Sequence, residues 1–134
     1  MSEEEIKNST ESIRKQRIDI SDELSESILT ELKKIPAGRS GLLVIKGPSI
    51  GDKFFIDKEE YSIGRSPESD VLLDDITVSR RHAILRGSGD DCRLVDAGSL
   101  NGSYVNSNIV DEAILKNGDR VQIGKYIFLF FSIK

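Results

Sequence analysis

Arginine, serine and asparagine recur beside glycine-marked turns at three places in this chain. Gly64-Arg65 closes the run EYSI, Ser79-Arg80-Arg81-His82 leads into HAILR, and Ser99-Leu100-Asn101-Gly102 leads into SYVN. A guanidinium fork beside a serine hydroxyl supplies what a phosphate dianion needs, positive charge and directed donors. An asparagine amide has both a donor and an acceptor, so it can hold the main chain of an extended peptide. None of these groups is a nucleophile paired with a base, so the set suits binding and not reaction. The expectation is a chain with no catalytic residues.

The alternatives of enzyme chemistry are thin. There is no GxxxxGK[ST] phosphate loop, no GxSxG elbow and no HExxH pair. The nearest approach to a dinucleotide fingerprint is Gly87-Ser88-Gly89, where Cys92 stands in place of the third glycine. His82 is the only histidine, and Asp74-Asp75 and Asp90-Asp91 read as solvated loop pairs, so neither metal nor cofactor is expected. A single cysteine, Cys92, excludes an internal disulfide and a cysteine zinc cluster, and reads as a small strand residue near the sandwich surface. Net charge is −4, from 23 acids and 19 bases. That sign is opposite to a general nucleic-acid binder's. No apolar run approaches the ~18 residues of a membrane span. The start, MSEEEIKNSTE, is acidic and lacks a secretory apolar stretch, so a cytoplasmic protein without nucleic-acid or membrane partners is expected.

The elements that would carry these turns occupy only part of the chain. The length, 134 residues, suits one domain. All eight Phe and Tyr residues follow Gly41, so the core is assigned to 41–134. Residues 1–40 carry nine acids and seven bases and read as a tail, mostly disordered or partly helical. Within it Leu24, Ile28, Leu32 and Ile35 form a helical stripe. With Ser21 as cap and Pro36-Ala37-Gly38 as stop, a helix is expected over 21–35. From Leu42 the pattern is one of short strands at intervals of about ten residues: LLVIK, KFFID, EYSIG, DVLL, HAILR, CRLVD, SYVN, RVQIG and YIFLFFSI. This predicts an all-β sandwich or barrel, with the run from Tyr126 to Ile133 as a central buried strand. Asn117-Gly118 reads as an ordinary hairpin turn, and Asn101-Gly102 reads either as a type I′ turn or as a ligand-facing pair.

The order GR, thirteen residues, SRRH, eighteen residues, NG resembles the signature of the forkhead-associated (FHA) domain. The resemblance runs from about Leu42 to Lys134 and includes YSIGRSPESDVLLDD and NGDRVQIG. It implies an FHA-type β-sandwich of about eleven strands, with a phosphothreonine-peptide site built from loops at one end. It also implies roles by position. Arg65 and Ser79 would contact the phosphate, Arg80 would add charge or a peptide contact, and Asn101 would bond the peptide main chain. Gly64, His82 and Gly102 would be structural, with His82 a satisfied core histidine that braces the loops. Many members carry threonine where this chain has Leu100, and Ser99 is the neighbouring hydroxyl that would substitute for it.

More narrowly, the layout of a short tail before one FHA domain is similar to a group of small actinobacterial FHA regulators. SGLLVIKGPSIGDKFFID, DDITVSRRHAILR and GSLNGSYVN carry that likeness. It implies binding to 2-oxoglutarate dehydrogenase or glutamate dehydrogenase, and control by a Ser/Thr protein kinase whose phosphorylated tail product is captured by the domain itself. That group has a Thr-Thr pair after a glutamate. Here the nearest segment is Asn8-Ser9-Thr10-Glu11-Ser12-Ile13, with one threonine, so Thr10 is the candidate phosphorylation site. Two other readings stand beside this one: a trans-acting phosphothreonine adaptor with an inert tail, and an interaction domain indifferent to phosphate.

Overall fold

The computed structural model describes residues 26, 28–88 and 91–132. The chain divides into two units, Met1–Ile35 and Pro36–Lys134. In the first unit residues 26 and 28–33 are helical, and Thr30 Oγ1 donates to the Glu26 carbonyl at 2.8 Å. The expected helix start at Ser21 and the candidate Thr10 lie outside the described residues.

The second unit is an all-β sandwich. Among the described residues eleven strands form two sheets: β1 (Ser40–Lys46), β2 (Lys53–Phe55), β3 (Glu60–Gly64), β4 (Val71–Leu72), β5 (Ala83–Ser88), β6 (Asp91–Asp96), β7 (Ser103–Val105), β8 (Asn108–Val110), β9 (Glu112–Leu115), β10 (Arg120–Ile123) and β11 (Tyr126–Ser132). One sheet runs β2-β1-β11-β10-β7-β8 and the other β4-β3-β5-β6-β9. Pairing is antiparallel except for β3 with β4. The first strand pairs Leu42 with Phe130 and Val44 with Phe128, and this places alternate large side chains on the inner face. From the opposite sheet Ile63, Leu85 and Leu94 meet them in one buried cluster. Phe128 is fully buried there, stacked on Tyr126 and edge-on to Phe54. The apolar run at the chain's end does become an interior strand, with β1 on one side and β10 on the other.

Three sequence expectations need correction. Cys92 is not near the surface: it is 4% exposed, on the inner face of β6 opposite Leu115. Burial, helped by the nearby Asp91 charge, pushes its thiol up to about 11. Asn117-Gly118 is not a hairpin, because β9 and β10 belong to different sheets. The Gly118 N–H instead donates to the Phe130 carbonyl at 2.8 Å, and Asn117 Oδ1 accepts from the Ser132 N–H at 2.8 Å. Asn101-Gly102 crosses between sheets in the same way, from β6 to β7. The two-residue type I′ turn lies at Asn106-Ser107, with φ of 51° and 72°, between Val105 and its cross-strand partner Asn108.

Candidate functional site

The three motif stretches meet at one end of the sandwich, around the backbone of residues 77–79. Gly64, the last residue of β3, lies so close to the following loop that a Cβ there would sit 2.1 Å from the Arg80 carbonyl oxygen. Only glycine admits that approach. Beyond it the Arg65 N–H donates to the Ser79 carbonyl at 3.0 Å and the Ser66 N–H to the Arg80 carbonyl at 3.2 Å. The Arg65 Nε–H donates to the Val78 carbonyl at 3.0 Å. One donor of the fork thus fixes the side chain, and the terminal nitrogens make no hydrogen bond among the described residues.

Ser79 joins this loop to the next. Its Oγ accepts from the Leu100 N–H at 2.9 Å, which leaves the hydroxyl proton available to an acceptor outside. Asn101 Nδ2 donates to the Thr77 carbonyl at 3.1 Å. Three consecutive residues, Thr77, Val78 and Ser79, are therefore each bonded to one of the loops that carry the candidate side chains. Arg80 and Arg81 are exposed and make no ion pair among the described residues. They line a shallow groove of about 300 Å³ with Ser66, Ser69 and two acids, Glu60 and Glu68.

Beneath this rim lies a layer with no exposed polar work left to do. His82 is 0% exposed. Its Nδ1 accepts from the Ser79 N–H at 3.0 Å, so its proton is on Nε2, which donates to the Gly102 carbonyl at 2.9 Å. One ring links two loops. The Ser99 hydroxyl is turned inward: it donates to Asp96 Oδ1 at 2.6 Å and accepts from the Gly102 N–H at 2.9 Å. With its proton spent on Asp96, Ser99 does not replace the threonine hydroxyl that Leu100 lacks. It holds the turn. Leu100 itself is 89% exposed.

Asp96 was not singled out from the sequence, yet it organises the β6–β7 loop. Its carboxylate accepts from the N–H groups of Gly98 and Ser99, each at 3.0 Å, and from the hydroxyls of Ser99 and Ser103. Burial pushes this carboxyl up, but the Ser99 and Ser103 hydroxyls and the two N–H groups outweigh it and hold it below the usual carboxylate range. The sequence signal was present: Asp followed by Gly and Ser two and three residues on is the pattern of an aspartate that closes its own turn. Asp75 is similar. It is not a loosely solvated acid, because it takes the Thr77 hydroxyl at 2.7 Å and N–H at 2.9 Å, and pairs with Lys125 at 3.2 Å.

The fold and this end together define a binding module: two packed sheets, loops braced from below by buried hydrogen bonds, and a basic rim with unspent donors. A family model for the FHA domain matches residues 61–124. Glycogen accumulation regulator GarA of Mycolicibacterium smegmatis is 47% identical over 108 residues, which is 81% of this chain and 68% of that protein. An oxoglutarate dehydrogenase inhibitor of Corynebacterium jeikeium is 48% identical over 98 residues, 73% of this chain and 68% of that one. The solved structure of Mycobacterium tuberculosis EmbR in complex with a low-affinity phosphopeptide matches with a TM-score of 0.67 at 27% identity, over 72% of this chain and 25% of that one. The chain belongs to the FHA domain family. No helix among the described residues is long and apolar enough to cross a membrane.

Proposed function

We propose that this protein binds phosphothreonine in partner proteins and, through that binding, regulates a metabolic enzyme. Arg65 and Ser79 hold the phosphate, Asn101 holds the peptide main chain beside it, and Arg80 adds positive charge at the rim. The observation that carries the reading is the held fork of Arg65. Its Nε–H is committed to the Val78 carbonyl while its terminal nitrogens make no hydrogen bond among the described residues. On the next residue of that loop the Ser79 hydroxyl accepts the Leu100 N–H and keeps its proton. A fork held in this way loses little freedom on meeting a dianion, so each charge-assisted bond counts nearly in full. The net charge of −4 is no obstacle, because Arg65, Arg80 and Arg81 gather positive charge where the ligand arrives.

The enzyme is 2-oxoglutarate dehydrogenase or, as second candidate, glutamate dehydrogenase; the relative named as an oxoglutarate dehydrogenase inhibitor supports the first. A Ser/Thr kinase controls the protein by phosphorylating Thr10, whose phosphate then occupies the same loops in cis. Of the 29 residues between Thr10 and Ser40, residues 26 and 28–33 are helical, and the rest would span about 25 Å at coil dimensions, enough to reach across a small domain. A tethered ligand acts at millimolar effective concentration and displaces weak partners.

Titration with a phosphothreonine peptide and its unmodified twin tests the reading. Binding of the phosphorylated form alone, lost in Arg65→Ala, is the expected result; equal binding of both peptides would show a phosphate-independent domain. For the cis switch, phosphorylation of Thr10 should move the NMR resonances of the loops at 65, 79 and 101. If they stay where they were, the tail is inert and the protein is a trans adaptor.

A further inference from the structure

We propose that Thr77, a residue that would not itself touch the ligand, is the positioning residue that sets Asn101 and its loop in binding geometry. This rests on the phosphothreonine reading above and adds to it a determinant outside the site's own side chains.

Thr77 is where three loops are tied together. Its hydroxyl has one proton and gives it to Asp75 Oδ1 at 2.7 Å. The same oxygen accepts the Lys125 N–H, at 3.0 Å, from the turn between β10 and β11. Its carbonyl accepts Asn101 Nδ2 at 3.1 Å from the β6–β7 loop. The Lys125 ammonium reinforces the first two ties by pairing with Asp75 Oδ2 at 3.2 Å. The turn at 124–125 is shaped to reach this hydroxyl. Gly124 has φ of +60°, and a Cβ there would stand 2.4 Å from Thr77 Oγ1 and 2.9 Å from the Val78 side chain. A larger residue at 124 would push the turn off the threonine.

The consequence for the site is directional. Asn101 is exposed and its only hydrogen bond among the described residues is the one to the Thr77 carbonyl. That single bond decides which edge of the amide points inward and leaves Oδ1 as the outward acceptor for a peptide N–H. If the Thr77 carbonyl moves, the amide has nothing else to orient it. Val78 and Ser79 follow Thr77 directly, but each has its own ties, to Arg65 Nε and to the Leu100 N–H. The Thr77 N–H to Asp75 Oδ1 at 2.9 Å and the Val78 N–H to the Asp75 carbonyl at 3.0 Å survive loss of the hydroxyl. What is released is the Lys125 N–H and with it the 124–125 turn, whose Gly124 lies so close that a Cβ there would be 2.9 Å from the Thr77 carbonyl oxygen. The change therefore falls first on that carbonyl and on Asn101, and only secondarily on the phosphate contacts.

Valine has the shape of threonine without the hydroxyl, and serine has the hydroxyl without the methyl. In Thr77→Val, affinity for a phosphothreonine peptide should fall by about tenfold, the worth of one mispositioned hydrogen bond. Thr77→Ser should bind within about threefold of the parent. In an Asn101→Ala background the Thr77→Val penalty should vanish, because the group it positions is gone. In the ligand-free protein the Asn101 side-chain amide resonances should shift in Thr77→Val and hold in Thr77→Ser. An equal penalty in both backgrounds, or Asn101 resonances unmoved by Thr77→Val, would overturn the assignment. If the parent protein binds no phosphopeptide, the reading of the preceding subsection fails, and the Asn101 resonances alone decide this one.

Discussion

Two layers of the same loop end are built from similar residues and hold opposite kinds of polar group. In the lower layer His82, Ser99, Asp96 and Ser103 spend their donors and acceptors on one another and on nearby backbone. In the rim the side chains of Arg65, Ser79 and Asn101 each use one hydrogen-bonding group to fix their place and make no other hydrogen bond among the described residues. The difference shows how a set of loops can be both ordered and receptive. Buried polar groups such as His82 and Ser103 must be satisfied or they cost stability, and the half-buried Asp96 and Ser99 complete their network, so the lower layer fixes the loop backbones. Exposed polar groups are satisfied by water when no ligand is present, so the rim can keep donors in reserve at little cost. Substitutions should therefore divide by layer: lower-layer changes read out as stability, rim changes as binding.

The largest stability loss should come from His82→Ala. It removes two buried hydrogen bonds, strands the Ser79 N–H and the Gly102 carbonyl, and leaves a cavity, for a cost of about 4 kcal/mol. Chemical denaturation measures it, and a loss below about 1 kcal/mol would erase the distinction between the layers.

Next is Asp96→Asn, which weakens four charge-assisted bonds and should cost about 2 kcal/mol at pH 7. This effect has a pH signature. The folded protein holds the Asp96 carboxyl below its ordinary value, so the stabilisation is fully present above about pH 4 and is lost as pH falls through the folded value. Asp75 behaves in the same direction, chiefly because the Thr77 hydroxyl bonds its carboxylate. The gap between parent and Asp96→Asn should narrow from pH 7 to pH 3; a gap that stays constant would show that the carboxylate charge is not what the loop uses.

The smallest stability change should come from Arg81→Ala, within about 0.5 kcal/mol, since this side chain is exposed and makes no ion pair among the described residues. A larger loss would place Arg81 in the lower layer and sharpen where the boundary runs.

Much of this was legible in the residues. The glycine-bounded Arg, Ser and Asn stretches and the ten-residue strand spacing led to a sandwich with a loop-built end, because turn chemistry and alternation are local signals. Most of what was not legible depended on partners far along the chain. β8 and β9 lie at sheet edges with mostly exposed residues, so Asn108–Val110 and Glu112–Leu115 carry little apolar alternation. Asn117-Gly118 has the composition of a hairpin, and only the sheet assignment of its flanking strands shows that it crosses between layers. Ser99 and Asn101 look equivalent in sequence, but Asp96 three residues before Ser99 turns its hydroxyl inward. Thr77 gave only part of its signal: the Asp75-Ile76-Thr77 spacing is that of a local aspartate turn, but its partners Asn101 and Lys125 come together only in the folded sandwich.

The division between layers and the phosphate reading meet in one variant, Arg65→Ala, measured twice. Its melting temperature should stay within a few degrees of the parent, because Arg65 is an exposed residue that contributes a single, part-buried side-chain bond to the fold. Its affinity for a phosphothreonine peptide should fall by about thirtyfold or more, since the bonds lost are charge-assisted ones to a dianion. A variant that melts far below the parent, or one that binds the phosphorylated peptide as well as the parent does, would contradict the account.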